Sequence, residues 1–212
     1  DELRAAAARD MGALRGLDIR AEDVVVGAGA KPFIAYTIAS VTDHGAGDEV
    51  IYPVPGFPIY ESQIVANGAV PVPIYLRESR GFAFDPAELA AKIGPKTRLV
   101  ILNTPHNPTG GILSSADLDG IAEILSQHPN VWVFADEIYS RLAYDGPFDT
   151  IAKRRDLLAR TVICDGASKT WAMTGWRIGF AANRALAPVF TRWITNTDSC
   201  ASQISQWAAL EA

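Results

Sequence analysis

The chain reads as an α/β fold, a mostly parallel β-sheet flanked by helices in a three-layer sandwich. Three observations predict it. Short, near-continuously apolar runs recur at Thr97–Leu102, Val131–Ala135 and Thr161–Cys164, and a strand with apolar residues at successive positions is one covered on both faces, as in parallel sheets. Stretches with helix start signals separate these runs, and strands alternating with helices build a parallel sheet through crossovers. Polar residues follow the carboxyl ends of the runs, which is where parallel sheets bind ligands.

In chain order, Asp1 to about Leu17 is rich in Ala, Leu and Arg and predicts a helix. Val24-Val25-Val26 is a short apolar run, followed by Gly27-Ala28-Gly29-Ala30-Lys31 and a helix to about Val41. Small residues entering a helix leave backbone N–H groups free for an anion; taken alone, the stretch reads equally as a tight turn. Pro32 stands where the third glycine of a dinucleotide fingerprint belongs, so a nicotinamide site is a poor match. Glu49–Pro53 predicts a strand. Pro53-Val54-Pro55-Gly56-Phe57-Pro58 is a stiff loop that delivers Phe57 and Tyr60 to the next helix start. Ala69–Leu76 predicts a strand. Asp85-Pro86 opens a helix to about Ile93, with Asp as cap and Pro in the first turn. After the strand Thr97–Leu102, Ser114-Ser115-Ala116-Asp117 forms a capping-box pattern for a helix to about Gln127. Val131–Ala135, Thr161–Cys164 and Ile178–Ala182 predict three more strands, and helix follows from about Ala185.

Composition narrows the function. The 212 residues, 49% hydrophobic and 20% charged, describe an ordinary globular chain with a sizeable core. A net charge of −5 without a basic block argues against a nucleic-acid partner. His44, His106 and His128 show no ligand spacing, so no metal site is expected. Cys164 and Cys200 form no CxxC pair and read as core or near-core residues in a reducing compartment. No apolar run is long enough for a membrane and no signal-peptide pattern opens the chain, so a cytoplasmic protein is expected. The chain starts without methionine and stops within a predicted helix, which suggests a piece of a longer protein.

The polar residues Asn107, Asp136, Tyr139 and Lys169 are placed by this reading at four successive strand ends. An aldehyde cofactor with a pyridine ring and a phosphate needs such a set. Lys169 offers an amine for a Schiff base. Asp136 offers an acid beside the pyridine nitrogen, and Tyr139 and Asn107 offer partners for the phenolic oxygen. Arg177 offers a fork of phosphate donors, the Ala30-Lys31 helix start offers N–H groups, and Phe57 offers a stacking face.

Asn107-Pro108-Thr109-Gly110, Asp136-Glu137-Ile138-Tyr139, Ser168-Lys169-Thr170 and Met173-Thr174-Gly175-Trp176-Arg177-Ile178-Gly179, in this order and spacing, resemble the class I/II aminotransferases of pyridoxal phosphate fold type I. The resemblance covers essentially the whole chain. It implies a pyridoxal 5'-phosphate cofactor held by a lysine Schiff base at Lys169, with Asp136, Tyr139, Asn107, Arg177 and Phe57 in the roles above. It further implies Gly29-Ala30-Lys31 as the phosphate-binding turn and Ser168 as a cofactor neighbour. The implied reaction moves an amino group between an amino acid and a 2-keto acid, with Lys169 carrying the α-proton, in a homodimer. Gly166 stands where the family often has a phosphate-touching serine. The family's N-terminal segment and C-terminal small domain, with its carboxylate-gripping arginine, have no counterpart here, so residues 1–212 are expected to be the large cofactor-binding domain. A β-lyase or decarboxylase on the same fold, or a cofactor-sensing domain, remains open at this point.

Overall fold

The computed structural model describes residues 1–144, 146–154 and 156–212. Among them, seven strands form one sheet: β1 (Val24–Gly27), β2 (Glu49–Val54), β3 (Val70–Tyr75), β4 (Thr97–Asn103), β5 (Trp132–Asp136), β6 (Thr161–Gly166) and β7 (Gly179–Ala182). Their spatial order is β1-β7-β6-β5-β4-β2-β3. β3, β2, β4, β5 and β6 run parallel, and β7 runs antiparallel to both β1 and β6. The α/β, mostly parallel expectation therefore holds, with β7 as the reversed strand.

The helices are α1 (Glu2–Arg15), α2 (Lys31–Val41), α3 (Ile59–Ala66), α4 (Pro86–Lys92), α5 (Ser115–Ser126), α6 (Ala167–Thr170), α7 (Ala187–Thr197) and α8 (Gln203–Glu211). The predicted caps form. The Ala87 N–H donates to Asp85 Oδ1 at 2.9 Å. Ser114 and Asp117 close a reciprocal capping box, with Ser114 N–H to Asp117 Oδ2 at 3.0 Å and Asp117 N–H to Ser114 Oγ at 3.2 Å. The helix expected from Ala185 onward is divided: α7 ends at Thr197, Ser199 adopts a left-handed φ of 65°, and α8 begins at Gln203. Exposed Cys200 lies in this turn, so of the two cysteines only Cys164 is a core residue.

The near-continuously apolar runs serve two cores, because side chains alternate across a strand. On β4, Leu99 and Ile101 join Phe134, Val162 and Phe33 under α2 and α7. Val100 and Leu102 join Leu118, Ile121 and Leu125 of α5 on the other face. Toward β1 that second face continues as Val24, Ile163 and Phe180 packed on Leu3, Ala7 and Met11 of α1. No helix among the described residues is long and apolar enough to cross a membrane.

Candidate active site

At the carboxyl ends of β4, β5 and β6 lies an open cavity of about 460 Å³. Ala30, Lys31, Phe57, Asn107, Asp136, Tyr139, Ser168, Lys169 and Arg177 all line it, so the structure gathers the sequence-chosen residues in one place. Gly29 does not line the cavity but lies directly beneath Arg177. One expectation needs correction. The four polar residues come from three strand ends, not four: Asn107 follows β4, Asp136 closes β5 with Tyr139 three residues on, and Lys169 follows β6.

Asp136 is the buried acid of the site, 7% exposed. Tyr60, fully buried at the start of α3, donates its hydroxyl to Asp136 Oδ2 at 2.6 Å. Burial pushes the Asp136 carboxyl up to about 6, partly opposed by the Tyr60 hydrogen bond. Burial, reinforced by the negative charge of Asp136, holds Tyr60 well above the ordinary phenol value, which keeps its hydroxyl the donor. Tyr60 also meets the edge of Phe57, with ring centroids 5.9 Å apart at 87°. Sequence reading carried Tyr60 to the helix start without giving it a role. The only sequence signal is the three-residue spacing from Phe57 to Tyr60; in the structure the Tyr60 N–H donates to Phe57 O at 3.0 Å.

Asn103, at the end of β4, was also missed. Its Nδ2 donates to Asp136 O at 2.9 Å, and its Oδ1 accepts from the Asn107 N–H at 2.8 Å. It thereby ties the β4 loop that carries Asn107 to the strand that carries Asp136. Tyr139 is half-buried, and burial followed by the charge of Asp136 raises its phenol. Lys169 sits in the short α6, exposed to the cavity, with Nζ 5.8 Å from the centre of the Tyr139 ring. Ser168 beside it is buried and accepts Thr174 Oγ1–H on its carbonyl at 3.1 Å. His106 points elsewhere, packed near Phe82 and Leu113 and bonded to Thr109 Oγ1 at 2.8 Å.

The cationic end is built by two glycines. Gly29 has φ 94°, a conformation that side chains rarely adopt, and a Cβ there would fall 2.1 Å from Arg177 Nη2. A Cβ on Gly179 would fall 2.2 Å from Ala30 N. These two bare positions let the turn before α2 press against the start of β7 and let Arg177 lie over it. Arg177 itself is left-handed, φ 56°, with Nη1 donating to Thr174 O at 2.9 Å and Nη2 to Ala28 O at 3.5 Å. A non-glycine residue in that region costs about 1–2 kcal/mol, and such strain concentrates at functional sites. Lys31 opens α2 with Nζ 5.4 Å over the Phe57 ring, and no side chain caps the helix. The arrangement thus has a buried acid at its floor, an aromatic wall, an amine, and a cationic turn.

A parallel sheet with a reversed strand, a strand-end lysine and a buried aspartate mark an α/β fold whose ligand site lies at the carboxyl ends of the strands. The family model "Aminotransferase class I and II" matches residues 1–212, and the chain belongs to that family. It is 37% identical over 204 residues to an aspartate/prephenate aminotransferase of Cereibacter sphaeroides, covering 93% of this chain and 50% of that protein. It is 38% identical over 200 residues to an aspartate aminotransferase of Rhizobium meliloti, covering 93% of this chain and 48% of that protein. A solved aspartate aminotransferase from Rhizobium meliloti superposes with TM-score 0.93 at 37% identity, covering 99% of this chain and 52% of that one. An aromatic aminotransferase from Pyrococcus horikoshii superposes with TM-score 0.94 at 31% identity, covering 99% of this chain and 56% of that one. The chain spans about half the length of the curated relatives it matches.

Proposed function

We propose that the protein is a pyridoxal phosphate-dependent aminotransferase that moves an amino group between an amino acid and a 2-keto acid. The observation that carries this reading is the convergence on one cavity of an amine, a buried acid and a cationic turn. The residues fit the group. Asp136, whose carboxyl is raised by burial, takes a pyridine N–H as its counter-charge; the bare Gly29–Ala30 turn under Arg177 takes a phosphate. Tyr139 and Asn107 would hold the phenolic oxygen, Ser168 would neighbour the cofactor, and Phe57 would cover the ring face.

Pyridoxal phosphate, when bound, supplies an aldehyde for the lysine and a protonated ring that accepts an electron pair. The chain's own residues do the rest. Lys169 Nζ would hold the cofactor's carbonyl carbon and, when freed as a neutral amine, would take the proton from the substrate Cα as a base and give it up to that cofactor carbon as an acid. Asp136, fixed by Tyr60, would keep the ring nitrogen protonated, and Arg177 and the α2 start would hold the phosphate. The relatives' names mention aspartate and prephenate, and one reads asparagine–oxo-acid transaminase; the common part of such substrates is an amino or keto acid, which is the class proposed here. The family resemblance further supports a homodimer acting in the cytoplasm, with Cys164 and Cys200 as free thiols. Sedimentation of the full-length protein tests the dimer, which a monomeric species would exclude.

The decisive experiment is an absorbance titration of the full-length protein with pyridoxal phosphate, followed by amino-transfer assays. The parent is expected to show the visible band of a lysine-linked cofactor and to transfer an amino group. Lys169→Ala is expected to lose both. A parent without the band refutes the cofactor, and a band without transfer favours a lyase or a sensor.

A further inference from the structure

Behind the cavity, on the opposite face of the sheet, lies a buried ionic cluster that the proposed chemistry does not use. Arg15, the last residue of α1, is fully buried. Its Nε donates to Glu137 Oε2 at 2.5 Å and its Nη2 to Asp165 Oδ2 at 2.7 Å. Thr150 Oγ1 donates to the other Glu137 oxygen at 2.5 Å, and the Gly166 N–H to the other Asp165 oxygen at 2.8 Å. Burial alone lowers the guanidinium, but Glu137 and Asp165 more than offset it and hold Arg15 above its ordinary value.

The sequence positions of the two carboxylates make this more than packing. Glu137 directly follows Asp136, and Asp165 lies four residues before Lys169. One rigid guanidinium fork therefore grips the strand end that carries the acid and the strand end that carries the amine. We propose that Arg15 is a positioning residue: by bridging Glu137 and Asp165 it fixes the Asp136–Tyr139 segment against the Gly166–Lys169 segment, and so sets the acid and the amine in one register across the cavity. The proposal rests on the reading of Lys169 and Asp136 given above. Two further observations support it. Glu137 N–H bonds Cys164 O at 2.9 Å, so the two segments are already laddered at the point where the fork acts. Asp165 also pushes the Asp136 carboxyl upward, and Arg15 is the cation that counters Asp165.

The test uses the full-length protein with pyridoxal phosphate and reads affinity and the circular dichroism induced in the bound cofactor's band. Arg15→Lys keeps the charge but loses the fork. It is expected to weaken cofactor binding about tenfold, equivalent to about 1.4 kcal/mol, and to reduce the induced dichroism, while remaining folded at the assay temperature by far-ultraviolet dichroism. A folded Arg15→Lys with parental affinity and parental induced dichroism overturns the proposal, because a purely structural ion cluster changes the melting temperature and leaves both cofactor signals alone. Should Arg15→Lys not fold, Glu137→Gln, which preserves shape and an acceptor for Nε, takes its place: weakened binding with reduced induced dichroism supports the proposal, and parental values of both overturn it. A parent that shows no lysine-linked band fails the functional reading itself and is thereby told apart from a failure of the Arg15 assignment.

Discussion

A single buried carboxylate links stability to function at the residue scale. Asp136 is raised from 3.8 to about 6, chiefly by burial. Between these values the folded chain holds a proton that the unfolded chain has released, so stability falls as pH rises through the window, by about 3 kcal/mol for this one group. Asp136→Asn keeps an acceptor for Tyr60 and removes the charge. Without cofactor, the variant is expected to be more stable than the parent at pH 8 and to lose that advantage at pH 4. Urea unfolding at both values checks this, and equal pH dependence of the two proteins would remove Asp136 as the group responsible. Tyr60→Phe deletes the 2.6 Å donor to Asp136. Hydrogen bonds to charged groups contribute about 1.5–3 kcal/mol, so a loss of about tenfold or more in cofactor affinity is expected in an absorbance titration. Asp136, Lys169 and Arg177 were legible in the sequence because each stands in a short motif. Tyr60 and Asn103 were not, because their roles are hydrogen bonds to a residue on another strand, at separations of 76 and 33 positions.

At the scale of elements, helix starts were the best-read features. The Asp85 and Ser114 caps depend on residues two and three positions away, so the pattern is complete within one turn. Ser114→Ala is expected to cost about 1 kcal/mol in thermal or urea unfolding and to leave cofactor binding unchanged, since the α5 start lies away from the cavity lining. The direction of β7 was not legible, because an apolar run of four or five residues looks the same whichever way it pairs. Its first residue carries an unusual demand. Gly179→Ala drives a Cβ into Ala30 N and Gly29 C, both 2.2 Å away and both backbone. Overpacking costs about 1–3 kcal/mol, occasionally more, and here relief requires the Gly29–Ala30 turn to move. Gly179→Ala is therefore expected to lose both stability and cofactor affinity, where Ser114→Ala loses only the first.

For the molecule as a whole, the sheet with two covered faces followed from runs with apolar residues at successive positions. Phe134, at the centre of β5, is 1% exposed in the core beneath α2; Phe134→Ala is expected to cost about 3–5 kcal/mol, measured as a shift in the urea midpoint. The Arg15 cluster had no local signature. Its contacts span 122 and 150 positions, and an arginine at the end of an Ala-rich helix reads from sequence as a solvated surface charge. Only the path of the chain, which brings the last residue of α1 to Glu137 and Asp165, turns it into a bridge.

The reversed strand has a consequence for how two residues of the cavity are coupled. Because β7 runs against its neighbours, its first residues arrive at the same sheet edge that β6 leaves, and Lys169 and Arg177 become the two ends of one short connection. That connection, from α6 through the 3₁₀ turn Thr174–Trp176, is pinned at Ser168 by Thr174 and at Ala28 by Arg177. The connection therefore holds the amine-bearing and guanidinium-bearing residues eight positions apart in sequence, with its backbone tied at both ends, so neither residue shifts without the other.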